Sequence, residues 1–137
     1  MEYAVKSRSK KYKMLVEAIL PSIIKQLKLT KSKRFVLIEI GRSAGEGNDG
    51  CTVPLPGIDS YVVTIKPGRL HEMGITLAHE MVHVKQLARG VLKTKNGTKY
   101  WRGKRYSKNT KYLNTPWELE AFAKQEILFR RAVERLS

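Results

Sequence analysis

The sequence has one cysteine, Cys51, so no disulfide can close within the chain, and a reducing cytoplasm is the expected compartment. No apolar run approaches the roughly 18 residues of a membrane span. The leading "MEYAVKSRSKKYK" lacks the apolar core of a secretory signal, so no membrane partner is expected. There is no internal repeat. Histidine is scarce, with three in 137 residues, and acid is missing altogether from residues 89–112. That gap removes any local counter-charge from nine Lys and Arg side chains.

The rest of the charge is also uneven. The net charge is +15; residues 1–34 set ten Lys and Arg against two Glu, whereas residues 116–137 balance four against four. Two basic segments point to a polyanion, either nucleic acid or an acidic protein. In "KSRSKKYK" and "KTKNGTKYWRGKRYSKNTK" the cations interleave with aromatics, which suits phosphate contact with base stacking. The contacts expected are Lys10, Lys11 and Lys13 in the first segment and Lys99, Arg102, Lys104 and Arg105 in the second. A solvated face that only aids solubility has the same composition.

A hydrophobic content of 42% in 137 residues suits one compact domain over 1–137. "SRSKKYKMLVEAILPSIIKQLKLT" places Leu15, Ala18, Ile19, Ile23 and Leu27 near helical spacing, with Pro21 expected to kink or split the helix. "RFVLIEIG" and "SYVVTIKPG" read as strands, and the Gly- and Pro-rich 41–57 between them as a surface loop. A helix follows from about Leu70 to Ala88, with Gly90 as its C-terminal cap. Asn96–Gly97 marks a basic hairpin or ordered loop. "TPWELEAFAKQEILFRRAVERL" reads as a last helix, with Thr115 as N-cap, Pro116 at the first position and Glu118 completing a capping box. The order helix, strands, helix, hairpin, helix makes an α+β domain.

The second helix carries "HEMVH". Positions four apart on a helix lie about 40° from each other on one face, so His79 and His83 can present imidazoles to one ion. Glu80 is rotated about 100° from His79, where it can reach a water in an open coordination position rather than the ion itself. A catalytic zinc needs a third protein ligand. His71 lies two turns before His79, too far along the axis, and Cys51 in a loop would be an unusual ligand. Glu118 and Glu120, on the last helix, are the candidates. Two histidines so spaced also occur as ordinary surface or core residues.

"HEMVHVKQ" followed about 35 residues later by "PWELEAFA" resembles the gluzincin branch of zinc metallopeptidases, especially the small single-domain metallopeptidase-like proteins of phages and bacteria. The resemblance implies a minimal zincin-like fold, Zn2+ as cofactor, His79 and His83 as ligands, and Glu80 as general base. It makes Glu118 the third ligand, with Ala121 as the following small residue. Phe122 then stands where an Asp or Asn is expected, so Glu120 is left either to orient a histidine or to be the ligand itself. The capping box competes for Glu118 and favours Glu120.

The implied reaction is hydrolysis of a peptide bond in a protein or peptide substrate. The oxyanion donor is sought among Tyr112, Tyr106, Tyr100 and Arg102, with Tyr112 singled out, while Trp101 and Trp117 are expected to pack the hairpin on the last helix. By the same resemblance, "SYVVTIK" is the edge strand that pairs with substrate. The alternative is a basic nucleic-acid-binding protein on such a fold, inactive or weakly active, or a protease acting on nucleic-acid-bound proteins.

Overall fold

The computed structural model describes residues 1–41 and 48–136. It is α+β, with three helices and two small sheets. Strand β1 (Glu2–Lys6) leads into helix α1 (Lys10–Gln26), then β2 (Phe35–Ile40), β3 (Gly50–Pro54) and β4 (Ser60–Ile65). Helix α2 (Leu70–Ala88) follows, then β5 (Leu92–Lys95), β6 (Thr98–Trp101) and β7 (Lys104–Tyr106). One turn of 3-10 helix at Tyr112–Asn114 precedes α3 (Pro116–Glu134). Among the described residues no helix is long and apolar enough to cross a membrane.

The first sheet has the order β1-β2-β4-β3, parallel except for β3, which runs antiparallel to β4. Two sequence expectations change here. Strand β4 lies inside the sheet, between β2 and β3, so "SYVVTIK" is not an edge. The edge beside it is β3, which emerges from the stretch expected to be loop; residues 42–47 of that stretch lie outside the described residues. Pairing makes this strand: Thr52 lies opposite Val63 and Val53 opposite Val62, and Pro54 falls at its end. The N-terminal residues also form a strand, β1, whose Tyr3 and Val5 pack on the core while Glu2, Ala4 and Lys6 face water.

Helix α1 runs through Pro21 without splitting. Pro21 is on the exposed side, where water can serve the carbonyl that a proline leaves unpaired. The buried stripe is Val16, Ile19, Leu20, Ile23, Ile24 and Leu27, so Ala18, expected inside, is outside, and Leu15 is only half-buried. Ser9 caps the helix by accepting from the Tyr12 amide at 3.4 Å.

Helix α2 is the centre of the molecule, covered by α1, α3 and the β3–β4 side of the sheet. Its buried residues therefore run around more than one face: Met73, Leu77, Ala78, Met81, Val82 and Val84. Small residues bring α3 close. A Cβ at Gly74 would overlap the Phe129 ring, and Ala78, Ala121 and Ala132 are fully buried. The helix ends in a Schellman motif, in which Gly90 has φ +72°, its amide donates to Leu87 O (3.1 Å), and the Val91 amide donates to Gln86 O (3.0 Å).

The second sheet, β5-β6-β7, is two hairpins, one turning at Asn96–Gly97 and the other at Arg102–Gly103, all four residues having positive φ. Trp101 and Tyr106 meet Trp117 of α3, with ring centroids at 6.5 and 5.4 Å, so both tryptophans pack as expected.

Candidate metal and catalytic site

Helices α2 and α3 place four titratable side chains at one spot. His79 and His83 stand one turn apart on α2, with ring centroids 5.0 Å apart and ring planes 81° to each other. Glu80 joins them, and one ligand atom from each of the three lies within 4.8 Å of the others; this buried group could hold a metal ion. From the first turn of α3, Glu118 Oε1 reaches 2.9 Å from His79 Nε2 and 3.1 Å from His83 Nε2. All four residues are under 9% exposed. His71, at the exposed start of α2, packs edge-on against Phe129 instead.

The choice between Glu118 and Glu120 turns on the cap of α3. Thr115 is the N-cap residue but makes no side-chain bond to the helix; its hydroxyl donates to Tyr112 O at 2.9 Å. The expected capping box does not form, and Glu118 is free to face the imidazoles. Glu120 instead accepts from Gln86 Nε2 at 3.0 Å and lies 3.5 Å from Lys124 Nζ.

Two glutamines orient the histidines. Gln86 Nε2 donates to both Trp117 O and Glu120 Oε1, each at 3.0 Å, which fixes its amide. Gln86 Oε1, 2.8 Å from His83 Nδ1, must then accept the Nδ1 proton. In a neutral imidazole this leaves the bare Nε2 lone pair pointing at the Glu118 carboxylate. Two lone pairs at 3.1 Å attract only if a proton or a cation lies between them. His79 has the matching arrangement, with Gln125 Oε1 2.8 Å from Nδ1. Phe122 packs against the His79 ring at 4.7 Å, and the orienting task falls to Gln125, one turn further along α3.

Glu80 faces the sheet. The Thr52 hydroxyl of β3 lies 2.7 Å from Glu80 Oε1 and 3.2 Å from Glu80 O. Gly50 makes this approach possible, because a Cβ there would stand 2.7 Å from Thr76 Cγ2 and 3.0 Å from Glu80 Cγ. His79 and Glu80 open into a cleft of about 740 Å³, lined also by Gly50, Thr76, Tyr112 and Phe122.

The two carboxylates are pushed apart. Burial raises the Glu80 pKa, against the opposing pull of His83 and of the Thr52 hydrogen bond. Burial also works to raise that of Glu118, but the hydrogen bonds from His79 and His83 and their charges outweigh it and hold it at about 2. Burial disfavours the His83 cation, yet Glu118 wins and raises its pKa. Tyr112 is held above the ordinary phenol range by burial and by Glu118. One carboxyl is thus suited to proton transfer and the other to staying charged.

Of the basic residues singled out in the sequence, Lys13 lies 3.8 Å from Glu17, and Lys11 leans on the Tyr12 ring at 5.7 Å. Lys99 sits over Trp117 (5.4 Å), Arg102 over Trp101 (5.9 Å) and Lys104 over Tyr106 (5.5 Å). Lys10 and Arg105 are exposed. Among the described residues none of the seven makes a hydrogen bond or ion pair with His79, Glu80, His83 or Glu118. The residues that sequence reading missed are Gln86, Gln125, Thr52 and Gly50. Spacing carried a signal for two of them: Gln86 is one turn beyond His83, and Gln125 two turns beyond Glu118.

No protein-family profile, curated protein or solved structure matches this chain, so the site is read from its geometry alone.

Proposed function

We propose that the protein is a zinc-dependent peptidase of gluzincin type. The observation that carries this is the convergence of two buried imidazole Nε2 atoms and one carboxylate oxygen, with at least one imidazole fixed so that its lone pair faces the carboxylate. Two buried carboxylates and two neutral imidazoles sum to two negative charges, which suits a divalent cation. Two nitrogens and one oxygen from three side chains make the donor set of a catalytic zinc, whose remaining position is open.

His79, His83 and Glu118 would hold the ion, with Gln125 and Gln86 fixing the rings. When bound, zinc acidifies a water and polarises the scissile carbonyl. Glu80 accepts the proton from the attacking water and passes it to the leaving amine; its raised pKa brings it nearer the working pH, and Thr52 holds its carboxylate in place. Tyr112 stays protonated and lines the cleft, so it can donate to a developing oxyanion. The substrate-pairing role passes from "SYVVTIK" to β3, whose outer edge pairs with no further strand among the described residues and whose Gly50 lines the cleft. An extended peptide added there would be held by main-chain bonds, with weak sequence preference. A single cysteine fits work in a reducing cytoplasm.

The test is metal analysis with peptide cleavage. The parent should carry about one zinc per chain, as this donor set provides a single position. His79→Ala should lose zinc and cleavage. Glu80→Gln should keep zinc and lose roughly 10²–10⁴-fold in turnover. A Glu80→Gln variant that cleaves like the parent would overturn the assignment.

A further inference from the structure

The β5–β7 sheet has two faces of different character. Partners across the ladders share a face and alternate along each strand. Leu92, Trp101 and Lys104 therefore lie on one side with Thr94, Lys99 and Tyr106, and this side is closed by Trp117. On the other side Lys93, Tyr100 and Arg105 stand in register across the three strands, next to the Lys95–Thr98 pair. Lys93, Lys95 and Arg105 are exposed, and the Tyr100 ring between them is half-buried.

Among the described residues no direct ion pair offsets this charge. Residues 89–112 contain no acid, and none of their cations makes an ion pair. Positive charge continues to the end of α2. There Arg89 donates to Lys28 O at 2.9 Å, and Lys85 has its pKa lowered by burial and then by Lys124, Arg89 and Lys28.

We propose that this outward face binds single-stranded nucleic acid, with Tyr100 as a stacking platform and Lys93 and Arg105 as phosphate contacts. Strands are about 4.8 Å apart, so one cation lies on each side of the ring at that offset. A base can stack on Tyr100 while the backbone passes over the flanking charges. An acidic peptide could use the cations but would gain little from a flat ring between them. A duplex keeps its bases stacked inside and offers the ring only its backbone. The proposal does not depend on the hydrolase reading, because the face contains no residue of the metal cluster.

The test is fluorescence anisotropy with a labelled oligothymidylate of about 15 nucleotides, near the upper limit of a small-domain site. Salt is varied from about 50 to 200 mM, where log affinity should fall linearly with log salt. Tyr100→Ala should weaken binding about 10-fold with the slope unchanged, and Tyr100→Phe should restore it. Lys93→Ala and Arg105→Ala should each lower the slope by about 0.7. Chelator should change nothing. No binding at low salt would overturn the proposal. So would polyglutamate displacing the oligonucleotide with Tyr100→Ala binding like the parent, or duplex binding as tightly as the single strand.

Discussion

The α2–α3 cluster and the β5–β7 sheet each concentrate ionisable groups, and they differ in how charge meets solvent. In the cluster, His79, His83, Glu80 and Glu118 are all buried, and each has a named polar partner within 3.1 Å. In the sheet, the Lys and Arg side chains are exposed, and none makes an ion pair among the described residues. Burial makes charge expensive, so the cluster must be satisfied internally and its titration is coupled to folding. Exposure lets water and salt carry the sheet's charge, so it costs the fold little and remains available to a partner. The overall +15 thus says little about the site, which sets two carboxylates beside two imidazoles.

The sharpest way to break this contrast is at Glu118. Its pKa is depressed to about 2, so in the metal-free chain its contribution is present above the ordinary 4.5 and is lost as pH falls towards 2. His83 is raised above 6.5, so its contribution is complete below that value and is lost as pH rises through the folded pKa. Glu80, also raised, acts in the same direction as His83. Metal-free stability should therefore be highest near pH 4.5 and fall on both sides, the alkaline fall beginning with Glu80 and continuing with His83 above 6.5. Glu118→Gln should remove the acid limb and flatten the alkaline one, costing roughly 2–3 kcal/mol near pH 5.5 by denaturant titration. An unchanged pH profile would mean that the imidazoles are not held by this carboxylate.

Next in size is Gln86. Gln86→Ala frees His83 Nδ1 and should weaken zinc binding by about 10- to 100-fold in a competition titration. Glu120→Ala removes only one of the two acceptors that fix the amide, and should cost less. If Glu120→Ala instead abolished binding, the ligand assignment on α3 would move by two residues.

These residues also mark how far the sequence could be read. The bounds of α2 were legible because apolar spacing, the paired histidines and Gly90 all agree, and the start of α3 because Thr115 and Pro116 agree. Glu118 was legible only as one of two candidates, since local capping chemistry argued against it; in the structure the Thr115 hydroxyl turns to Tyr112 O and Glu118 faces the imidazoles. Strands β1 and β3 were not legible. Each is an edge strand with one neighbour, so half of its apolar signal is missing, and β3 sits in Gly- and Pro-rich sequence where only pairing with β4 makes it a strand. The α1 stripe was misplaced because Leu15 and Ala18 fit a helical period as well as Val16 and Leu20 do, and only the packing partner decides between the faces.

A smaller effect is expected where the cluster depends on helix approach. An alanine in place of a helical glycine ordinarily stabilises by up to about 1 kcal/mol. At Gly74 the sign should reverse, because the new Cβ would overlap the Phe129 ring. Overpacking of this kind costs about 1–3 kcal/mol, so Gly74→Ala should be net destabilising by roughly 1 kcal/mol in thermal or denaturant melts. Phe129→Leu in the same background should recover part of that loss. A stabilised Gly74→Ala would show that α3 can move away from α2, and the approach of Glu118 to the two imidazoles would then tolerate slack.

The smallest effect belongs to the sheet. Lys93 and Arg105 flank Tyr100 on opposite neighbouring strands, which puts them two strand spacings apart, about 10 Å. That is close to the Debye length at physiological salt, so their repulsion is largely screened. Lys93→Gln should therefore change stability by no more than about 0.5 kcal/mol, in the stabilising direction, and the gain should vanish as salt is raised. The difference between Lys93→Gln and the parent should not change as pH moves the cluster through its titration, because Lys93 makes no bond to any residue of that cluster. A destabilisation of several kcal/mol would mean that Lys93 is structural, and its charge would then be committed to the fold rather than available to a partner.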